Sequence, residues 1–302
     1  MSKMKKIFIA GCGGMLGEAF YHTFKDTYTI VCTDIDLNEK WLSYLDFRDL
    51  DAYREQVRTF APDYLIHLGA HTDLEYCERN VEDTYATNTL AVENAVLIAN
   101  ALDIPVMYVS TAGIFDGKQD SYDDWDMPNP LGHYARSKFA GERYVVENAH
   151  RYIVCRAGWM MGGGPKKDKK FINKLVKQIE SGAKEIKIVN DKFGTPTYTF
   201  DFANNMKVLM EHELWGLYNM VCGGLTSRLE VAKALIDMIP KGREIQLTEV
   251  DSSYFQQEYF APRPPNEQLV NRKLDLRGQN HMRDWRIALK DYIRTSFPHL
   301  LA

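Results

Sequence analysis

The 302-residue sequence is poor in the features that mark specialised chains. Cysteine is sparse. Cys12, Cys32, Cys77, Cys155 and Cys222 are the five present, and no two stand in a C-x-x-C pair. That spacing excludes a disulfide-stapled mini-protein and a cysteine metal or redox motif. The odd count leaves at least one thiol unpaired, as suits a reducing compartment. Long hydrophobic runs are lacking as well. The start Met1–Lys6 is basic like the head of a signal peptide, but the apolar stretch behind it is broken by glycines. The uncharged run ends at Glu18, too short to span a bilayer. Basic excess is also missing, since 37 Lys and Arg face 41 Asp and Glu for a net charge of −4. A nucleic-acid surface would need the opposite balance. No internal repeat and no low-complexity segment is found. The expectation is a cytoplasmic globular protein with neither membrane nor nucleic acid as a partner.

What is present is alternation. Apolar, β-branched runs at Lys6–Ala10, Thr29–Thr33, Tyr64–Leu68, Pro105–Ser110 and Arg151–Arg156 read as buried strands. Helix-like segments separate them at Met15–Phe24, Leu50–Phe60, Val81–Leu102 and Tyr134–Asn148. Short buried strands between helices predict βαβ units and an α/β, doubly wound parallel sheet. The pattern changes after Arg156. Gly162–Lys170 is a breaker cluster followed by charge and reads as a surface loop, and Lys166–Lys170 is weighed as a solvated loop against a reach toward substrate phosphates. The expected division is a dinucleotide-binding unit over 1–156, to which 198–221 returns, and a smaller α/β substrate subdomain over 157–197 and 222–302.

The first strand runs into Gly11-Cys-Gly-Gly-Met-Leu-Gly17 and then a helix. Gly11, Gly14 and Gly17 give a tight strand-to-helix turn where a pyrophosphate can approach the backbone and the helix N-terminus supplies N–H donors. The next strand ends at Asp34, about 20 residues after the glycines, where an acid bonds the adenosine ribose hydroxyls and repels a 2′-phosphate. NAD(H) is therefore favoured over NADP(H) as the cofactor of this Rossmann-type unit. Asp36 reads as a turn cap.

Tyr134 and Lys138 are i and i+4 on one helix, so both project from one face. An ammonium beside a phenol lowers its pKa toward working pH and makes it usable as a general acid or base. Thr111, just after Ser110, ends a predicted parallel strand, where ligands of open α/β sheets bind. Thr111, Tyr134 and Lys138 together form a carbonyl–alcohol redox constellation. His67 and His71 are four apart on a strand-to-loop junction with no third ligand, so no metal is expected and His67 reads as a core histidine. Asp120–Asp126 reads as a solvated acidic loop. The Val81–Leu102 helix has apolar residues all round (Leu90, Val92, Ala95, Val96, Ile98, Ala99). One side suits the sheet and the other could meet a second copy of the chain, which leaves a homodimer as one option.

These residues resemble the extended short-chain dehydrogenase/reductase superfamily, and more closely the dTDP-4-dehydrorhamnose reductases. The resemblance runs through Gly11–Gly17, Asp46-Phe47, Leu68-Gly-Ala-His-Thr72, Thr87-Asn88-Thr89-Leu90-Ala91, Ser110-Thr111 with Ile114–Gly117, and Tyr134 with Lys138–Glu142. In the C-terminal half it includes Arg156–Trp159, Asp191–Tyr198 and Arg263-Pro264. It implies a nicotinamide-dependent reductase of a nucleotide-diphosphate sugar carrying a 4-keto group. Met15 and Leu16 would then lie along the pyrophosphate, Asp46 and Phe47 would frame the adenine, and Leu68, Gly69, Ala70, His71, Asn88 and Ser110 would line the cofactor cleft. Tyr134 would protonate the C4 oxygen that Thr111 also bonds, and Lys138 would hold the nicotinamide ribose. Trp159, Ala112 and Lys192 would face the sugar, and Arg263 the diphosphate.

The chain also departs from the family pattern. Thr111-Ala-Gly-Ile-Phe115 replaces the usual Thr-Asp-Tyr-Val-Phe, and Lys192 replaces a usual glutamine, which leaves the sugar and the stereochemistry open. Two alternatives stand beside the reductase. One is an NAD-linked sugar-nucleotide epimerase or dehydrogenase. The other is a non-catalytic subunit like the regulatory subunit of methionine adenosyltransferase, which resembles the same family.

Overall fold

The computed structural model describes residues 4–301, so part of the basic start, Met1–Lys3, lies outside the described residues. Seven strands form one parallel sheet: β1 (Lys6–Ala10), β2 (Thr29–Asp34), β3 (Leu42–Tyr44), β4 (Tyr64–His67), β5 (Val106–Thr111), β6 (Tyr152–Ala157) and β7 (Gly216–Asn219). Their spatial order is β7-β6-β5-β4-β1-β2-β3. The chain runs outward from β1 to β3, then returns to the other side of β1 as β4. This reversal opens a crevice at the C-terminal ends of β1 and β4, where open α/β sheets place their ligands.

Both faces of the sheet are apolar because successive residues alternate sides. Ile7 and Ile9 of β1 face one cluster with Phe20 and Phe24 of α1 (Met15–Phe24), while Phe8 and Ala10 face the other with Tyr53 and Val57 of α2 (Leu50–Phe60). On the second face lie α3 (Ala91–Ala101) and α4 (His133–Asn148). Helix α5 (Thr199–Glu211) packs beside α1 on the first face and leads into the edge strand β7, so this late segment builds part of the main sheet. The rest of the C-terminal half forms short pairings: Trp159–Met161 with Pro196–Tyr198, Phe193–Gly194 between Thr226–Ser227 and Asn266–Glu267, and Glu185–Val189 with Gln246–Val250.

The helix expected over Val81–Leu102 is not regular. A helix over Val81–Tyr85 leads into a π-helical turn at Ala86–Leu90, and α3 follows. A π-turn adds a residue to the helical ring and swings side chains out of the ordinary register. Asn88, within it, is fully buried, and Leu90 and Leu97 are exposed while Val92, Ala95, Val96, Ile98 and Ala99 are buried.

Two segments read as solvated are corrected. Lys167 and Asp168 are buried, because a short helix at Gly164–Lys167 folds the loop onto the core. Asp124, in the acidic loop, is buried too. Its carboxylate accepts from the backbone N–H groups of Asn219 (2.6 Å) and Lys273 (2.8 Å). It therefore ties the acidic loop to β7 and to the C-terminal segment.

Beneath that loop, Arg156 at the end of β6 forms a two-pronged pair with Glu142 of α4, with Nη2 2.7 Å from Oε1. The two side chains are 4% and 3% exposed. Removing one partner of such a pair leaves a buried, uncompensated charge. Glu142→Ala is expected to lose about 3–5 kcal/mol of stability, read as a lower urea midpoint. An unchanged midpoint would show that the pair contributes nothing.

Candidate functional site

The site begins at the glycine turn. Gly11 holds φ +75°, and a Cβ there would lie 2.3 Å from Gly69 Cα, so both loops at the crevice come into backbone contact. Gly17 is pressed onto the Cys12 carbonyl, where a Cβ would stand 2.1 Å from its oxygen. Gly14 is different. It is the N-cap of α1, is exposed, and a Cβ there would meet nothing within 4 Å. The N-terminus of α1 is therefore open at Gly14, and a helix N-terminus supplies free N–H donors for a phosphate.

The sequence reading missed Gly13. Its N–H donates to Asp34 Oδ2 at 2.8 Å, and a Cβ would stand 2.8 Å from the Asp34 carboxyl carbon. Asp34 is thus fixed at the end of β2, with Oδ1 accepting from Asp36 N. Asp36 Oδ2 in turn accepts from Asn38, which also bonds the Gly13 carbonyl.

Across the crevice lies the loop Leu68–His71. Asn88 holds it with both ends of its amide: Oδ1 accepts from His71 N at 2.8 Å, and Nδ2 donates to His71 O at 3.0 Å and to Ser137 Oγ at 3.2 Å. The π-turn is what brings this amide inward, so Asn88 positions the cleft wall and α4 together. Phe47 is buried under Gly69 and meets the His67 ring edge-on at 4.9 Å. Asp46 is held by Arg48, whose Nη1 reaches Asp83 at 2.8 Å. His71 Nε2 also lies 2.8 Å from Asp83. Ser110 Oγ and Thr87 Oγ1 are buried without a hydrogen-bond partner among the described residues. Open N–H groups, a glycine cradle and orphaned hydroxyls suit a dinucleotide.

Thr111 ends β5, and its Oγ1 accepts from Gly113 N at 3.1 Å. Burial pushes the Tyr134 phenol up to about 12, and the neighbouring Thr111 side chain works the other way. Lys138, expected beside Tyr134, is buried on the same helix. Its Nζ donates to the Val109 carbonyl at 2.8 Å and sits over the Tyr108 ring, and burial lowers it to about 7. The phenol is therefore protonated throughout the neutral range.

The far wall comes from the C-terminal half. Trp159 donates its indole N–H to Glu267 Oε2 at 2.8 Å. Arg228 lies over the Trp159 ring at 3.7 Å and faces Phe171 at 4.7 Å. Among the described residues its guanidinium makes no ion pair within 4 Å, and burial lowers its pKa to about 10, leaving it charged at neutral pH. Arg263, expected on the diphosphate, pairs with Glu75 at 2.7 Å. Lys170 reaches the opposite lip, donating to Thr72 O and Oγ1 at 2.9 and 3.2 Å. Ala112, expected at the sugar, packs inward with Ile114, Phe115 and Leu269. Lys192 accepts from Arg228 N through its backbone carbonyl and so holds the start of the Arg228 helix. Arg228 and Glu267 carried no sequence signal, since each is an isolated charged residue far from the glycine turn. Among the described residues no His, Cys, Asp or Glu cluster is placed to hold a metal, and no helix is long and apolar enough to cross a membrane.

Residues 4–297 match the family described as RmlD substrate binding domain. The chain belongs to that family. It is 26% identical to the dTDP-4-dehydrorhamnose reductase of Salmonella typhimurium, over 96% of this chain and 98% of that protein. It is 27% identical to methionine adenosyltransferase 2 subunit beta of Danio rerio, over 91% and 85%. The structure superposes on the Bacillus anthracis dTDP-4-dehydrorhamnose reductase in complex with NADP with a TM-score of 0.88 and 25% identity, covering 97% of this chain and all of the other.

Within this RmlD-type cleft, His67 is buried between Phe47 and Tyr53, with Nδ1 3.4 Å from the Tyr53 hydroxyl. Burial, aided by the Lys138 charge, lowers its pKa to about 3. As pH falls below about 6.5 the unfolded chain binds a proton that the folded one refuses until about 3, so stability drops across that window. His67→Gln is expected to flatten that acid limb by about 3 kcal/mol between pH 7 and pH 4. Urea titrations at both pH values check it, and parallel acid limbs for the two proteins would refute it.

Proposed function

We propose that this member of the family is a cytoplasmic nicotinamide-dependent reductase of a nucleotide-linked 4-keto-6-deoxy sugar. The observation that carries the reading is Thr111 at the C-terminal end of β5, whose side chain acts against the burial that raises the Tyr134 phenol. It sits on the same sheet edge as the open glycine turn. The reductase relatives support the same reading. Arg228, Arg263, Lys170 and Lys174 influence one another electrostatically at the subdomain side of the cleft and suit a diphosphate. Of the four, Arg228 is the best receptor, because Arg263 is already taken by Glu75.

When bound, the nicotinamide supplies hydride to the sugar carbon. The chain's own residues handle the oxygen. Thr111 and Tyr134 both donate to it, and Tyr134 delivers the proton as negative charge develops. A phenol held near 12 keeps its proton until charge builds on the acceptor, which suits reduction better than oxidation. Lys138, whose Nζ is anchored on the Val109 carbonyl of β5, would hold the nicotinamide ribose.

Asp34 makes NADH the preferred reductant, since its fixed carboxylate opposes a 2′-phosphate. Asp34→Asn keeps an acceptor for Gly13 N while removing the charge. It is expected to raise the NADPH-over-NADH ratio of kcat/KM about tenfold. An unchanged ratio in steady-state assays would refute the assignment.

The decisive test is cofactor oxidation with dTDP-, UDP- and GDP-linked 4-keto sugars, followed by NMR of the product at C4. Tyr134→Phe is expected to lower kcat by on the order of 100–10,000-fold while dinucleotide affinity stays unchanged. No turnover by the folded wild type on any of these sugars would sink the reading. The likeness to the methionine adenosyltransferase subunit supports a second reading, a nucleotide-binding partner subunit. A partner effect that survives Tyr134→Phe favours it. The exposed Leu90 and Leu97 offer the face for a homodimer, and sedimentation as a monomer at high concentration would exclude one.

A further inference from the structure

Gly113 is buried beside Thr111, and an acid from the other half of the chain packs against it. A Cβ at residue 113 would stand 3.2 Å from Glu267 Oε1 and 3.5 Å from Thr111 Oγ1. The carboxylate and the threonine hydroxyl therefore flank one position. Glu267 lies on the short strand Asn266–Glu267, held in register by Phe193–Gly194. Its other oxygen, Oε2, is taken by the Trp159 indole. The orientation is thus fixed, and Oε1 is the oxygen turned toward Gly113.

Two neighbours register this charge. Glu267 raises the pKa of Tyr134 and raises that of Arg228. The carboxylate therefore stands within electrostatic reach of the proton donor on one side and the free guanidinium on the other. Thr111 and Tyr134 present donors to a carbonyl oxygen. An ionised carboxylate presents only acceptors, so its ligand must be a donor.

We propose that Glu267 is a specificity-determining residue whose Oε1 accepts a hydrogen bond from the sugar hydroxyl on the carbon next to the reacting carbonyl. The assignment rests on the nucleotide-sugar reading above. It selects sugars that keep that hydroxyl and discriminates against deoxy analogues, which would leave the carboxylate unpaired.

The test is titration calorimetry of wild type and Glu267→Gln with dTDP-glucose, its 3-deoxy analogue and dTDP, with the uridine series in parallel. Glutamine keeps an acceptor for the Trp159 indole, so the fold is retained. Glu267→Gln is expected to weaken dTDP-glucose on the order of ten- to hundredfold and to leave dTDP and the 3-deoxy analogue unchanged. Equal affinity of both proteins for dTDP-glucose overturns the proposal. Wild type that binds none of these ligands overturns the nucleotide-sugar reading, and this proposal with it. In turnover, the basic limb that reports the Tyr134 proton is expected to move to lower pH in Glu267→Gln, because the charge that held the proton is gone. A limb that does not move, together with a uniform loss on all ligands, marks a merely structural residue and overturns the proposal.

Discussion

The site depends on backbone contact between Gly11 and Gly69 at the point where the strand order reverses. A side chain at Gly11 would strike the Gly69 backbone and push the first and fourth strand ends apart, and one at Gly69 would strike the Phe47 ring. Everything else is built around that contact. Gly13 can reach Asp34 because the turn is tight, and Phe47 can lie under Gly69 because no Cβ stands there. Asn88 then fixes the outer part of the same loop against α4.

Much of this was legible in the sequence, for a definite reason. Glycine turns, buried strands and a Tyr/Lys pair are local patterns, and the parallel sheet follows from their alternation. The strands ending at Ala10, Asp34, His67, Thr111 and Ala157 stand close to where periodicity placed them. What escaped is non-local. Arg228 and Glu267 reach Trp159 only because short pairings around Phe193–Gly194 draw distant segments together. Asp124 and Lys167 look solvated in a run of charges, and only tertiary contact shows them buried. The π-turn at Ala86–Leu90 breaks a periodicity that otherwise reads as plain helix.

The two halves of the cleft divide the work by chemistry. The sheet edge offers hydroxyls and N–H groups, which suit phosphates and a carbonyl oxygen. The C-terminal wall offers an aromatic ring, a guanidinium and a carboxylate, which read shape and charge. Lysines join the two lips: Lys170 bonds Thr72, and Lys166 bonds the Asn38 carbonyl and Glu39. Exposed contacts of this kind are worth little individually.

The sparse cysteines have a consequence of their own. All five thiols are free and buried, and Cys12 donates to the Gly17 carbonyl inside the glycine turn. Burial pushes the Cys12 and Cys155 thiols well above the ordinary range, so they are protected by protonation as well as by cover. The chain therefore carries an internal clock. An alkylating reagent can mark a thiol only while the surrounding structure is open, and the order of labelling ranks the segments by how often they breathe.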